Sequence, residues 1–146
     1  MDAISGLNHW LDPLVLQLEP SQRRNLMRQL AQGLRVRMRD RIKQQRDPDG
    51  HRFIPRKRDQ IGNIKRQGAM FQRIGSRIKT DYSADHAAVG FGGRDATIAR
   101  VHQNSGTVRP SRIAAPVRYA RRELAGFSAD DTSWLKQQIS DYLVKR

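Results

Sequence analysis

Gln44-Gln45-Arg46-Asp47-Pro48-Asp49-Gly50-His51-Arg52-Phe53-Ile54-Pro55-Arg56-Lys57-Arg58 is the stretch that decides how the chain is laid out. It stops a long basic helix. Asp47-Pro48-Asp49-Gly50 predicts a turn, with Pro48 fixing φ and Gly50 free to adopt a left-handed conformation. Phe53-Ile54-Pro55 predicts an extended run, because the residue before a proline is pushed toward β or polyproline geometry. Arg56-Lys57-Arg58 closes the stretch with consecutive cations.

Upstream, Glu19-Pro20-Ser21 starts the helix, with Ser21 as N-cap or Pro20 in the first turn. From there to about Gln45, Leu26, Met27, Leu30, Ala31, Leu34, Met38 and Ile42 fill one broad side of the wheel. Arg24, Arg28, Arg35, Arg39 and Arg46 gather on an adjacent arc and form a basic ridge. Arg37 and Arg41 intrude on the apolar side. Their stems are expected to cover the core edge while their guanidinium groups reach water or a partner. Gly33 costs roughly 1 kcal/mol in mid-helix, which predicts close approach of another backbone. Before this helix, Leu7, Trp10, Leu11, Leu14, Val15 and Leu18 recur at helical spacing and predict a short helical segment within residues 1–19.

Downstream, residues 47–67 make a connection long enough to be expected to be mobile or functional. Ala69–Ile74 predicts a helix of one or two turns. Arg77–Tyr82 and Ala87–Phe91 alternate polar and apolar positions around Ser83–His86, the pattern of an antiparallel hairpin with Ala87, Val89 and Phe91 on one side. Asp95 offers an N-cap for a helix carrying Ile98, Val101 and His102, closed at Asn104-Ser105-Gly106. A short strand is expected near Val117–Tyr119. Ser128 and Asp131 form a variant capping box for the last helix, whose apolar face holds Trp134 or Leu135, then Gln138 and Ile139, then Tyr142 and Leu143. The fold class is therefore α+β in a single domain: a long basic N-terminal helix, a small antiparallel β-sheet with helices packed on one face, and a C-terminal helix.

Charge is distributed unevenly. Of the 146 residues, Ser21–Lys79 holds 18 Lys/Arg against 4 Asp/Glu, whereas residues 1–20 hold 3 acids and no Lys or Arg. A field of +14 in one segment favours polyanions: nucleic acid, an acidic protein surface or a membrane face. The candidate polyanion contacts are Arg24, Arg28, Arg35, Arg39, Arg46, Arg52, Arg56, Lys57 and Arg58. No apolar run approaches the roughly 20 residues that cross a bilayer, and the acidic N-terminus lacks the apolar core of a signal peptide. A soluble protein is expected.

Catalytic chemistry finds no foothold. The chain has no cysteine, which excludes disulfides and thiolate zinc sites. Gly90-Phe91-Gly92-Gly93 lacks the Lys-Ser/Thr of a phosphate loop and the spacing of a dinucleotide fingerprint. His9, His51, His86 and His102 are scattered, and His102 is expected to be packed or hydrogen-bonded. Asp130-Asp131 sit where a helix dipole favours acids. No catalytic, cofactor or metal residues are assigned. Zinc-finger, RNA-recognition and helix-turn-helix signatures are also missing, so any nucleic-acid contact would be to phosphates, with Phe53 and Tyr82 able to stack on bases.

Taken in order, the segments resemble a known family. Gln45-Arg46-Asp47-Pro48-Asp49-Gly50, with Phe53, Pro55, Arg56 and Lys57 after it, is similar to the signature of the phage virion-morphogenesis, or tail-completion, proteins of contractile-tailed phages and prophages. Met70-Phe71, Val89-Gly90-Phe91, Ile98-Ala99-Arg100-Val101-His102-Gln103 with Gly106, and Tyr119, Arg122, Leu124 and Gly126 follow in the same order. Where the family has Tyr-Pro and Leu-Leu-Gly, this chain has Tyr119-Ala120 and Leu124-Ala125-Gly126. The resemblance implies a structural virion protein rather than an enzyme, made in the host cytoplasm and placed at the head-proximal end of the tail, where head and tail join. It implies a homo-oligomeric, hexameric ring, other tail and neck proteins as partners, and proximity to phage DNA in the channel. Trp10 and Leu14 at one end of the chain, and Trp134 and Tyr142 at the other, are the candidate subunit interface. A non-specific nucleic-acid-binding protein is the alternative.

Overall fold

A computed structural model describes residues 17–56, 69–108, 112–113 and 117–145. The segment around Trp10 and Leu14, the cations Lys57 and Arg58, and the rest of the connection to Gly68 lie outside the described residues. The fold is α+β, ordered as α1 (Pro20–Lys43), α2 (Gln72–Gly75), β1 (Lys79–Tyr82), β2 (Ala87–Gly90), α3 (Gly93–Gln103), β3 (Thr107–Val108), β4 (Val117–Arg118) and α4 (Ala129–Lys145).

The long helix starts as its sequence dictates. Pro20 takes the first turn, where a missing N–H costs nothing, and the N-cap is Glu19 rather than Ser21. The Glu19 backbone N–H donates to Gln22 Oε1 at 3.1 Å. The helix stops at Lys43, and Gln45 turns left-handed at φ 59°. Arg46 consequently leaves the helical ridge. It sits instead in an isolated antiparallel bridge with Arg52.

Leu26, Leu30, Ala31, Leu34, Met38 and Ile42 are the buried side of α1, as their spacing predicted. They serve two apolar clusters in succession. Toward the N-terminus, Leu18, Leu26, Leu30 and Leu34 pack with Leu135 and Ile139 of α4. Toward the C-terminus, Met38 and Ile42 pack with Phe53, Ile74, Ile78, Ala99 and Leu124. The β1–β2 hairpin lies across α1, pairing Lys79 with Gly90 and Tyr82 with Ala87. Its Val89 touches both clusters, as expected for the inward side of alternating residues. A second, minimal ladder pairs Thr107 with Arg118 and Val108 with Val117.

Three local expectations are corrected. Gly33 makes room for a side chain, not a backbone: a Cβ there would run into the Trp134 ring. Asp95 is not the N-cap of α3. Gly92 is, and Asp95 in the first turn instead receives Arg77 Nε at 2.9 Å and Nη2 at 2.7 Å. Ile98 of α3 stands exposed, and Ala99 is the residue buried there.

Candidate functional site

Gln45 begins the site, because its left-handed backbone lets the side chain turn back over the helix end. Its Nε2 donates to the carbonyls of Ile42 and Met70 at 2.7 and 2.9 Å. Its Oε1 accepts the Met70 N–H at 2.8 Å. One amide thus closes α1 and ties it to a segment 25 residues away. The Gln45 carbonyl accepts from Phe53 N–H at 2.7 Å, which places Phe53 in the second cluster.

Between these, Asp47–Gly50 forms the predicted turn. Gly50 N–H and His51 N–H bond to the carbonyl and side chain of Asp47 at 3.0 and 2.9 Å, and Gly50 has φ 89°. Pro48 is buried. A Cβ on Gly126 would lie 2.8 Å from Pro48 Cγ, and Gly126 itself has φ 137°. The turn residues and the glycine before α4 are therefore fitted to each other.

Arg122 is the centre of the knot and is 6% exposed. Its Nε donates to the Ile54 carbonyl at 2.7 Å and its Nη2 to the Pro55 carbonyl at 3.3 Å. The extended Phe53–Pro55 run has no ladder of its own, and this guanidinium satisfies the carbonyls a ladder would have used. The third branch, Nη1, lies 3.2 Å from His102 Nδ1. Burial first, and the Arg122 charge second, push the His102 pKa down to about 4. The ring is neutral, accepts at Nδ1 and keeps its proton on Nε2. It stacks edge-on with Phe71 at 4.8 Å and tilted against Tyr119 at 5.0 Å, and Phe71 in turn meets Phe53 at 5.5 Å. Those ring contacts hold Phe71 at φ 65°, a conformation that ordinarily costs a bulky residue about 1–3 kcal/mol.

Next to His102, Gln103 Oε1 accepts from the N–H groups of Leu124 and Ala125 at 2.9 and 3.2 Å, while its Nε2 donates to the Ala125 carbonyl. Arg41 comes in from α1, donating to the carbonyls of Arg46 at 3.1 Å and Leu124 at 2.8 Å. Burial lowers its pKa from the ordinary arginine value, and it remains charged. Arg37 reaches Asp131 Oδ1 at 2.7 Å. Asp131 is also the capping residue expected for α4: its N–H bonds Ser128 Oγ, and its Oδ2 accepts the Ser128 N–H, both at 3.0 Å.

The candidate contacts fall into separate places. Arg24, Arg28, Arg35 and Arg39 stay together on one stripe of α1, about 22 Å long at 1.5 Å per residue. Arg24 lies over the Tyr82 ring at 4.9 Å, which leaves that ring face covered by its own chain. Arg28 donates to Asn25 at 2.8 Å, and Arg39 reaches Asp40 only at 3.4 Å. Arg46 donates to the Gly50 carbonyl at 2.7 Å. Arg52 is exposed and Arg56 half-buried. Trp134 is half-buried on Gly33, with Arg37 5.5 Å from its ring centre. Tyr142 donates to the Gln22 carbonyl at 3.1 Å. Asp47, Asp49 and His51 bring ligand atoms within 4.8 Å of one another on an exposed turn, a proximity that the turn itself accounts for.

Gln45, Pro48, Gly50, Phe53, Met70, Phe71, His102, Gln103, Tyr119, Arg122, Leu124 and Gly126 are all residues on which the resemblance rested, and the fold brings them into one knot. Sequence reading missed what the knot does, since Arg122 and Gln103 carried no signal beyond their place in a motif. A family model describing the phage virion morphogenesis family matches residues 2–144. The chain belongs to that family. Among curated relatives is "Tail completion protein S" of Escherichia phage P2, 32% identical over 142 residues, which cover 92% of this chain and 93% of that protein. No solved structure matches the chain significantly. The residues on which the resemblance rested are, in this fold, chiefly the ones that join α1, α3 and the segment before α4.

Proposed function

We propose that this chain is a structural component of a contractile phage tail or tail-like particle, and that it completes the tail at its head-proximal end as a ring. The likeness to the P2 tail completion protein carries this reading, because it runs over nearly the full length of both chains. The knot supports it, because the motif residues build a rigid scaffold that joins α1, α3 and the segment before α4. The role is structural rather than enzymatic, in a single domain, and the product is a virion component. Among the described residues no helix is long and apolar enough to cross a membrane.

A hexamer is the arrangement we favour, with Trp10 and Leu14 at the subunit interface and the outward edges of Trp134 and Tyr142 as further candidates. The test is loss and restoration of the gene in a phage or prophage that carries it. Tails made without the protein should lack a terminal ring density and fail to join heads. Normally ended tails that join heads would sink the proposal. Rotational symmetry of that density, read by electron microscopy, checks the sixfold ring.

The α1 arginine stripe favours a second reading, non-specific nucleic-acid binding, and the two meet if the stripe faces DNA in the channel. Lys57, Arg58 and Arg56 would add to it. Affinity for duplex DNA should then fall steeply with salt, in proportion to the number of phosphates neutralised. A salt-independent affinity, or none, would remove DNA from the account.

A further inference from the structure

We propose that the groove between the C-terminal half of α1 and the Ala69–Ser76 segment receives the acidic, apolar N-terminal stretch of a second copy of this chain. The inference rests on the ring reading above and names the contact that would build the ring. The groove encloses about 550 Å³, with Arg35, Arg39 and Lys43 on one rim, Phe71 and Gly75 on the other, and Ile42 in its floor. Cations over an apolar floor suit a peptide that brings both carboxylates and large apolar side chains. Phosphates alone would have no use for the floor.

Charge complementarity selects the occupant. Residues 57–68 precede Ala69 in the sequence but carry Lys57, Arg58, Lys65 and Arg66 against Asp59 alone. Placing them there would crowd like charges onto Arg35, Arg39 and Lys43. Residues 1–16 carry Asp2 and Asp12, no Lys or Arg, and the apolar Leu7, Trp10, Leu11, Leu14 and Val15. Reach then selects the copy. Leu18 is fixed in the first cluster with Leu26 and Leu30. Arg39 lies 19 residues beyond Pro20, about 28 Å along α1. Were residues 7–18 helical, as their apolar spacing predicts, Trp10 would lie only about 12 Å back from Leu18, and within one chain it would stop short of the groove. A neighbouring subunit has no such tether. An N-terminal stretch on one subunit seated in a groove on the next is a heterologous contact, the type that closes into rings. The groove, rather than the Trp134 ring already seated on Gly33, is the receiving surface.

The chain's lack of cysteine makes the test direct. Two single-cysteine chains, Asn8→Cys and Gln72→Cys, are mixed under mild oxidation, both as purified protein and in assembled particles. A mixed disulfide dimer is expected. Adding Arg35→Glu and Arg39→Glu to the Gln72→Cys chain should cut its yield at least about tenfold, since facing like charges cost several kcal/mol. Adding Asp12→Lys to the Asn8→Cys chain should restore it. The proposal is overturned by no mixed dimer in either sample, by cross-linking only within one chain in the Asn8→Cys/Gln72→Cys double variant, or by a yield indifferent to charge reversal. Cross-linking that persists while tails assemble normally without the protein would overturn the tail reading and leave this contact standing. Tails lost without the protein, with no cross-link, would overturn the contact alone.

Discussion

Arg35 and Arg39 stand on one side of α1, and Arg37 and Arg41 on the other, two residues out of step. The first pair lines an open groove and finds, among the described residues, one weak carboxylate contact. The second pair is captured: Arg37 by the buried Asp131, Arg41 by the carbonyls of Arg46 and Leu124. Residue type, helix and spacing are the same. What differs is whether a chain segment with unsatisfied acceptors passes opposite. Arginine serves both purposes because its planar fork can satisfy several carbonyls at once or stand solvated at little cost. A basic sequence therefore mixes structural and interfacial arginines, and only the opposing surface separates them.

The sharpest way to break that comparison is Arg122→Ala. It leaves the Ile54 and Pro55 carbonyls without their guanidinium partner in a part-buried site and opens a void where Arg122 was buried. A loss of about 2–3 kcal/mol is expected in denaturant unfolding. Arg28→Ala, on the exposed stripe, should change stability by less than about 0.5 kcal/mol. Equal effects would mean the knot is not where folding energy is concentrated. Gly33→Ala comes next. It collides with the Trp134 ring and should cost about 1–3 kcal/mol by overpacking, and Trp134→Leu in the same chain should recover part of that loss. Additive losses would place the ring elsewhere.

A smaller effect follows from His102. Its pKa near 4 in the folded chain lies below the ordinary value of about 6.5, so between those limits the unfolded chain binds the extra proton. Stability contributed by the neutral ring is complete above pH 6.5 and is lost as pH falls toward 4. The loss is about 1–2 kcal/mol once solvent screening of a half-buried group is allowed for. His102→Gln should flatten this part of the pH–stability curve, and an unchanged curve would acquit the ring. The smallest effect on stability belongs to the quadruple change of Arg24, Arg28, Arg35 and Arg39 to Gln. It should leave the unfolding midpoint nearly still while lowering affinity for polyanions and flattening its salt slope.

What could be read from the chain divides along the same line. Long periodic patterns were legible: α1, the hairpin, the α4 capping box and the turn at Asp47–Gly50 all follow from spacing and turn chemistry. The endings were harder. Nothing in Gln44-Gln45-Arg46 says that a glutamine, not a glycine, takes the left-handed position. That choice depends on Met70, whose amide and carbonyl lie across from it. Gly33 read as a backbone contact because a helix glycine alone does not say what fills the space. Arg122 was visible only as a motif letter, since partners such as the carbonyls of Ile54 and Pro55 and the His102 ring lie far from it in sequence. Local chemistry was readable, and long-range satisfaction of polar groups was not.

The knot also has a consequence for the order of events during synthesis. Both clusters along α1 are completed by residues much later in the chain: the first by Leu135 and Ile139, the second by Leu124 with Arg122 closing over Pro55. The ribosome delivers residues in sequence, and pairings this distant reward the chain only after the last partner has emerged. A nascent chain arrested before Arg122 would therefore leave uncovered the parts of α1's apolar side that Leu124, Leu135 and Ile139 pack against, with only the hairpin, Ile74, Ile78 and Ala99 opposite it. Such fragments would go to chaperones and proteases rather than into a particle, so the fold itself works as a check that only finished subunits enter assembly.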